Sequence, residues 1–104
     1  MPFADGSWES PEGKLEAAEF CQVCLIDENP AGEPKVKGLC KLPVRAAPGG
    51  PFNRTAMHAA AAALAGARGG VKASAESKRK AARRLIRLYG EAGEEPPESL
   101  RRMG

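Results

Sequence analysis

The stretch Asn53–Ala92 carries the two longest helical patterns in this 104-residue chain, and its reading decides the fold. It opens Asn-Arg-Thr-Ala-Met-His and runs through five alanines to Leu64. Alanine loses no side-chain entropy in a helix, so Ala56–Ala65 is the strongest helix former in the chain. Asn53 can cap it through its side-chain oxygen, with Thr55 as the alternative. Met57, Ala60, Ala61 and Leu64 fall on one side. Gly66-Ala-Arg-Gly-Gly70 then supplies the left-handed conformations that end a helix, and Val71 reads as a buried plug in the connector. Ser74 caps a second helix over about Ala75–Ala92. On a helical wheel Ala75, Ala81, Ala82, Leu85, Ile86, Leu88 and Tyr89 cover one arc, and Arg79, Lys80, Arg83, Arg84 and Arg87 cover the opposite one. Gly93 stops it, and Pro96-Pro97-Glu98-Ser99-Leu100 opens one more short helical turn before a frayed end.

Upstream, residues 1–10 read as an extended lead-in with Trp8 as its anchor. Ser10-Pro11-Glu12 reads as a helix start. Ala17, Phe20, Cys21, Cys24 and Leu25 follow as one apolar stripe at helical spacing, with a strand over Phe20–Ile26 as the rival reading. Asp27–Pro34, with two prolines and a glycine, is a loop. Lys35–Arg45 alternates and is extended, and Pro43 confines it to an edge. Ala46–Phe52 is a loop. The expected architecture is mainly α: a small bundle of three to four helices with a helix–extended–helix unit and one short edge-strand segment. Residues 11–92 form its single domain and 93–104 a short turn and tail. Five aromatic rings, 5% of the chain, build only a small core. No apolar run approaches membrane-spanning length, and the first residues lack the basic start and apolar run of a signal peptide.

Charge is segregated. Residues 1–34 carry eight acids against Lys14 alone; residues 35–88 carry thirteen Lys or Arg against Glu76 alone. The two blocks can attract each other within the fold, or the basic one can face an acidic partner. Cations on one helix face, with Arg68 and Lys72 nearby, suit a phosphate backbone, an acidic protein surface or plain solvation. No aromatic stacking set accompanies them, since Tyr89 lies on the apolar arc.

Three cysteines, an odd number, point to reduced thiols rather than a disulfide framework. Cys21, Cys24 and Cys40, with His58 as the sole histidine, could form a zinc set, but Cys24 is followed by Leu25-Ile26 rather than the glycine turn of structural zinc pairs. Core packing is the preferred reading, with zinc the minor one and no other cofactor expected. His58 has no serine or acid at a spacing that ties it to catalysis. Gly66–Gly70 lacks the Gly-Lys-Ser/Thr ending of a nucleotide loop. The chain is therefore expected not to be an enzyme.

One composite pattern is more specific. Cys24-Leu-Ile-Asp27, Lys37-Gly-Leu-Cys-Lys-Leu-Pro-Val44, Asn53 and Leu64-Ala-Gly-Ala-Arg-Gly-Gly70 together resemble a small domain of tailed bacteriophages. That domain is appended to, or encoded near, head-maturation (prohead) proteases, and also occurs as short stand-alone proteins. The resemblance spans roughly Trp8 to Pro97 and departs from the family in its extra Cys21. It implies capsid assembly in the host cytoplasm or virion, not proteolysis, because the protease's catalytic residues belong to another domain. No catalytic residue is carried over. The expected role is a non-enzymatic accessory that docks on a phage structural or assembly protein through the alanine-rich helix and Leu39–Val44. The alternative is a nucleic-acid-binding module using Arg68, Lys72, Arg79, Lys80, Arg83, Arg84 and Arg87. A homo-oligomer is a further expectation, since alanine-rich helices pack closely on copies of themselves.

Overall fold

The structure, a computed structural model, describes residues 3–66 and 69–103. In order it runs β1 (Phe3–Ala4), a 3₁₀ turn (Pro11–Gly13), α1 (Ala17–Val23), β2 (Cys24–Asp27), a second 3₁₀ turn (Lys37–Leu39), β3 (Cys40–Pro43), β4 (Phe52–Asn53), α2 (Arg54–Leu64), α3 (Ala75–Glu91) and α4 (Glu98–Met103). Four helices are joined by two two-stranded sheets, so this is a small helical domain with a β component rather than plainly an all-helical bundle.

The paired helices follow the sequence closely. Asn53 caps α2 by accepting from the Ala56 N–H, and Ser74 caps α3 by accepting from the Ser77 N–H. Thr55 instead donates its hydroxyl to the Gly6 carbonyl. Met57, Ala60, Ala61 and Leu64 of α2 pack against Ala81, Ala82, Leu85, Leu88 and Tyr89 of α3 in one buried cluster, with Val71 partly buried against it. Gly66, Gly69 and Gly70 have positive φ, as the termination reading requires.

The N-terminal region departs from expectation. Ser10 does cap a turn at Pro11, but that turn ends at Gly13, and α1 starts afresh with a capping box between Glu16 and Glu19. The helix stops at Val23. Cys24–Asp27 leaves the helical stripe and pairs antiparallel with β3, placing Cys24 opposite Pro43 and Ile26 opposite Lys41. The physical reason is burial from both sides. Cys24 joins Phe20, Cys21, Val23 and Cys40 in one cluster, and Leu25 and Ile26 enter the helical core. An extended backbone, whose successive side chains point to opposite faces, buries Cys24, Leu25 and Ile26 in a row where a helical stripe would not.

Both termini are better anchored than their composition suggests. Phe3, rather than Trp8, is the buried N-terminal anchor: β1 pairs parallel with β4, and the Phe3 and Phe52 ring centroids lie 5.8 Å apart. At the other end Leu100 of α4 is fully buried against the helical core. Arg54 ties the two together. Its guanidinium lies over the Phe3 ring, pairs with Asp5 and Glu94 at 3.2 Å each, and donates to the Ala92 carbonyl at 3.1 Å.

The start of α3 is held from outside the helix. The Glu28 carboxylate, just beyond β2, accepts from the Ser74 N–H at 3.0 Å and from the Ser77 hydroxyl at 2.9 Å. The Ser74 amide holds its pKa below the ordinary 4.5, with the Ser77 hydroxyl adding to the effect. A carboxyl depressed in the folded state stabilises the fold above its ordinary value, and that contribution vanishes as pH falls through the folded value. The unfolding midpoint is therefore expected to drop as pH falls below about 4.5, and Glu28→Gln flattens that part of the profile. At neutral pH, Leu85→Ala is expected to cost about 2–5 kcal/mol in urea unfolding, whereas Arg83→Ala stays within about 0.5 kcal/mol.

Candidate binding surface

Burying the apolar arc of α3 turns its cations outward. Arg79, Lys80, Arg83, Arg84 and Arg87 are all exposed, as is Lys72 ahead of the helix; Arg68 lies outside the described residues. Lys80 pairs with Glu76 one turn back at 3.4 Å, both side chains well solvated, so the pair is weak. Arg84 reaches the Cys24 carbonyl at 3.5 Å. Among the described residues Arg79, Arg83 and Arg87 enter no ion pair, and no acid of residues 3–34 pairs with the cations of this face. The acidic and basic blocks meet instead in the Lys35–Asp27 and Arg54–Asp5 pairs, while Glu28 reaches α3 only through its serines.

Two residues missed in the sequence join this surface. Phe52 lines a shallow depression of about 200 Å³ with Arg84, Arg87, Leu88 and Glu91, and the Arg45 guanidinium sits 4.8 Å over the Phe52 ring. The β1–β4 pairing brings Phe52 beside the basic face, which no sequence spacing signals. Arg45 and Phe3 already occupy the ring, so it supports a guanidinium rather than offering a stacking platform for a base. Tyr89 is buried as expected, and burial first, then Glu94, raises its pKa.

The two segments expected to dock meet in an apolar groove. The inward side of α2 is consumed by the core, leaving Ala59 and Ala62 exposed. Trp8, Leu42 and Pro43 join Ala56, Ala59 and Ala60 around a groove of about 190 Å³. Ser10, Leu42 and Pro43 continue it into a second hollow containing Lys37 and Lys41. Leu42 has φ 62°, the sole positive φ outside glycine among the described residues. A leucine in the left-handed region costs of order 1–2 kcal/mol, so the surrounding structure fixes it there, and such strain clusters at binding sites. Val36 and Leu39 nearby are the large exposed apolar side chains.

His58 is tied to an acid after all. Its Nε2 lies 2.8 Å from Glu94 Oε1, beside the Tyr89 ring and a hollow of about 370 Å³ shared with Glu95 and Ser99. Glu94 lies 36 residues downstream, beyond the reach of a spacing argument. Arg54 holds its other oxygen, so the acid is engaged twice. No nucleophile bonds to His58 among the described residues.

The four candidate zinc ligands are not brought together. Cys21 and Cys40 are joined as a disulfide, which corrects the expectation of three free thiols. They pair because α1 packs against β3, a long-range contact the odd cysteine count could not reveal. Cys24 is the free cysteine and is buried. Burial, reinforced by Glu12 and Asp27, pushes its thiol up to about 12. The thiolate is the reactive form, so an alkylating agent at about pH 8 is expected to leave Cys24 unmodified in the native protein and to label it promptly in denaturant. Mass spectrometry checks this; native labelling at the unfolded rate would contradict it.

No helix among the described residues is long and apolar enough to cross a membrane. Comparison of the chain with protein-family models, with curated proteins and with solved structures gives no match.

Proposed function

We propose that this chain is a non-enzymatic accessory protein of tailed-bacteriophage head assembly that acts by docking on a virion or assembly protein. The setting comes from the resemblance carried by Cys24–Asp27, Lys37–Val44 and Leu64–Gly70. The observation that supports docking is the apolar groove between β3 and α2, where Leu42 is held in a strained backbone conformation against Trp8, Pro43 and Ala59. Its walls suit one apolar side chain of an extended segment. Lys41 on β3 and Lys37 in the 3₁₀ turn before it line the adjoining hollow and suit acidic residues flanking it. The partner is therefore a protein segment with an apolar anchor and acidic neighbours.

A second reading follows from the unpaired basic face of α3, which suits a nucleic-acid backbone. The two readings separate by site and by salt. With a purified head protein of the phage as partner, Ala59→Arg is expected to weaken binding at least about tenfold. The double variant Arg83→Ala/Arg87→Ala leaves it within about threefold, and salt weakens it only modestly, through screening of Lys37 and Lys41. Ala59 is exposed on a helix, so this substitution does not threaten folding. Binding to duplex DNA that falls linearly on a log–log salt plot, and is lost in the double arginine variant but not in Ala59→Arg, would establish the second reading instead.

A further inference from the structure

Cys21 on α1, Asp27 at the end of β2 and Cys40 at the start of β3 converge. Their sulfurs and a carboxylate oxygen all lie within 4.8 Å of one another. At the focus sits the Asn29 side-chain nitrogen. It is 2.8 Å from Asp27 Oδ1, 3.3 Å from Cys40 Sγ, 3.3 Å from the Val36 carbonyl and 3.6 Å from Cys21 Sγ. A carboxamide nitrogen carries two hydrogens, so four acceptors share two donors. Acceptor atoms from separate segments are thus aimed at one electropositive point, and an amide fills it incompletely. Lys35 engages the other Asp27 oxygen at 2.6 Å, and the Asn29 backbone N–H, donating to Oδ1 at 2.9 Å, holds that oxygen beside the focus.

Two sulfurs and one carboxylate oxygen form a donor set for a borderline-soft divalent cation of the zinc class, which takes four ligands including thiolate and carboxylate. We propose that, once reduced, Cys21, Cys40 and Asp27 bind such a cation, and that the disulfide is the metal-free, oxidised form of the same site. Cys24 takes no part, although it belongs to the same Cys-x-x-Cys. It sits on β2 in the apolar cluster, outside the converging group. This inference does not depend on the docking reading.

The chemistry balances with a small-molecule thiol as reductant. Two thiol molecules deliver two electrons and two protons to the Cys21–Cys40 bond and become one disulfide. The protein gains two thiols. Cation binding then displaces both thiol protons to solvent, as thiolate coordination requires. In reverse, a small-molecule disulfide takes two electrons from the two thiolates and two protons from solvent, the Cys21–Cys40 bond closes, and the cation is released.

The test uses the full chain reduced with a phosphine, desalted without air and titrated with Co²⁺. One equivalent is expected to produce thiolate-to-cobalt charge-transfer absorption, and Zn²⁺ then bleaches it. Cys21→Ser and Cys40→Ser each lower affinity by more than about tenfold, Asp27→Asn weakens it, and Cys24→Ser leaves it unchanged. Asn29→Asp, which replaces the competing amide by a further anionic donor, tightens it. Because the serine variants can lose stability, melting of the reduced wild-type protein gives a second readout, and Zn²⁺ is expected to raise its midpoint. No charge-transfer band in the reduced protein, no shift in melting, or a Cys24→Ser effect equal to that of Cys21→Ser would overturn the proposal.

Discussion

Leu85 of α3, Met57 of α2 and Ile26 of β2 meet in one buried cluster, and the rest of the molecule is arranged around that contact. Each is almost completely removed from water, and burial of such side chains contributes about 1.5–3 kcal/mol apiece. The helix pair alone would leave part of α3 uncovered. β2 and α4 supply further cover, so α3 needs both as much as α2. Fixing the apolar arc of α3 inward also fixes Arg79, Arg83 and Arg87 outward. The basic face is therefore a consequence of core packing as much as a feature in its own right.

Polar ties then lock segments that the core leaves loose. Glu28 supplies the start of α3 with a carboxylate from across the fold, a favourable position at the positive end of a helix dipole. Arg54 gathers the N-terminal strand, the start of α2 and the link after α3 around one guanidinium. Asn29 plays the same part in the loop after β2, where its oxygen accepts from the Val36 N–H while its nitrogen serves the sulfur and carboxylate acceptors. In a domain this small, where burial by itself is marginal, such cross-chain ties are a natural supplement to the core.

The surface features are distinct in character. The groove of Trp8, Leu42, Pro43 and Ala59 is apolar and small, and suits one anchoring side chain. The face of α3 is broad and cationic, and Phe52 beside it serves Arg45 rather than a ligand. The Cys21–Asp27–Cys40 group is compact, with buried sulfurs and an exposed carboxylate, and Cys40 reaches the hollow of Lys37 and Lys41 that adjoins the groove.

Local order was legible from the residues alone: the caps at Asn53 and Ser74, the alanine helix, the glycine stop, and the sorting of α3 into apolar and cationic arcs. Each depends on chain neighbours within one or two helical turns, where spacing is informative. The fate of Cys24–Asp27 was decided by tertiary structure, because a short apolar run satisfies helix and strand periodicity alike until its partners on both sides exist. The same holds for the site chemistry. The Cys21–Cys40 bond, the His58–Glu94 pair and the Phe52–Arg45 contact join residues whose distance along the chain carries no signal. The composition supplied the ingredients, and only the packing of α1 on β3, of the 94–99 segment on α2, and of β1 on β4 determined which of them touch.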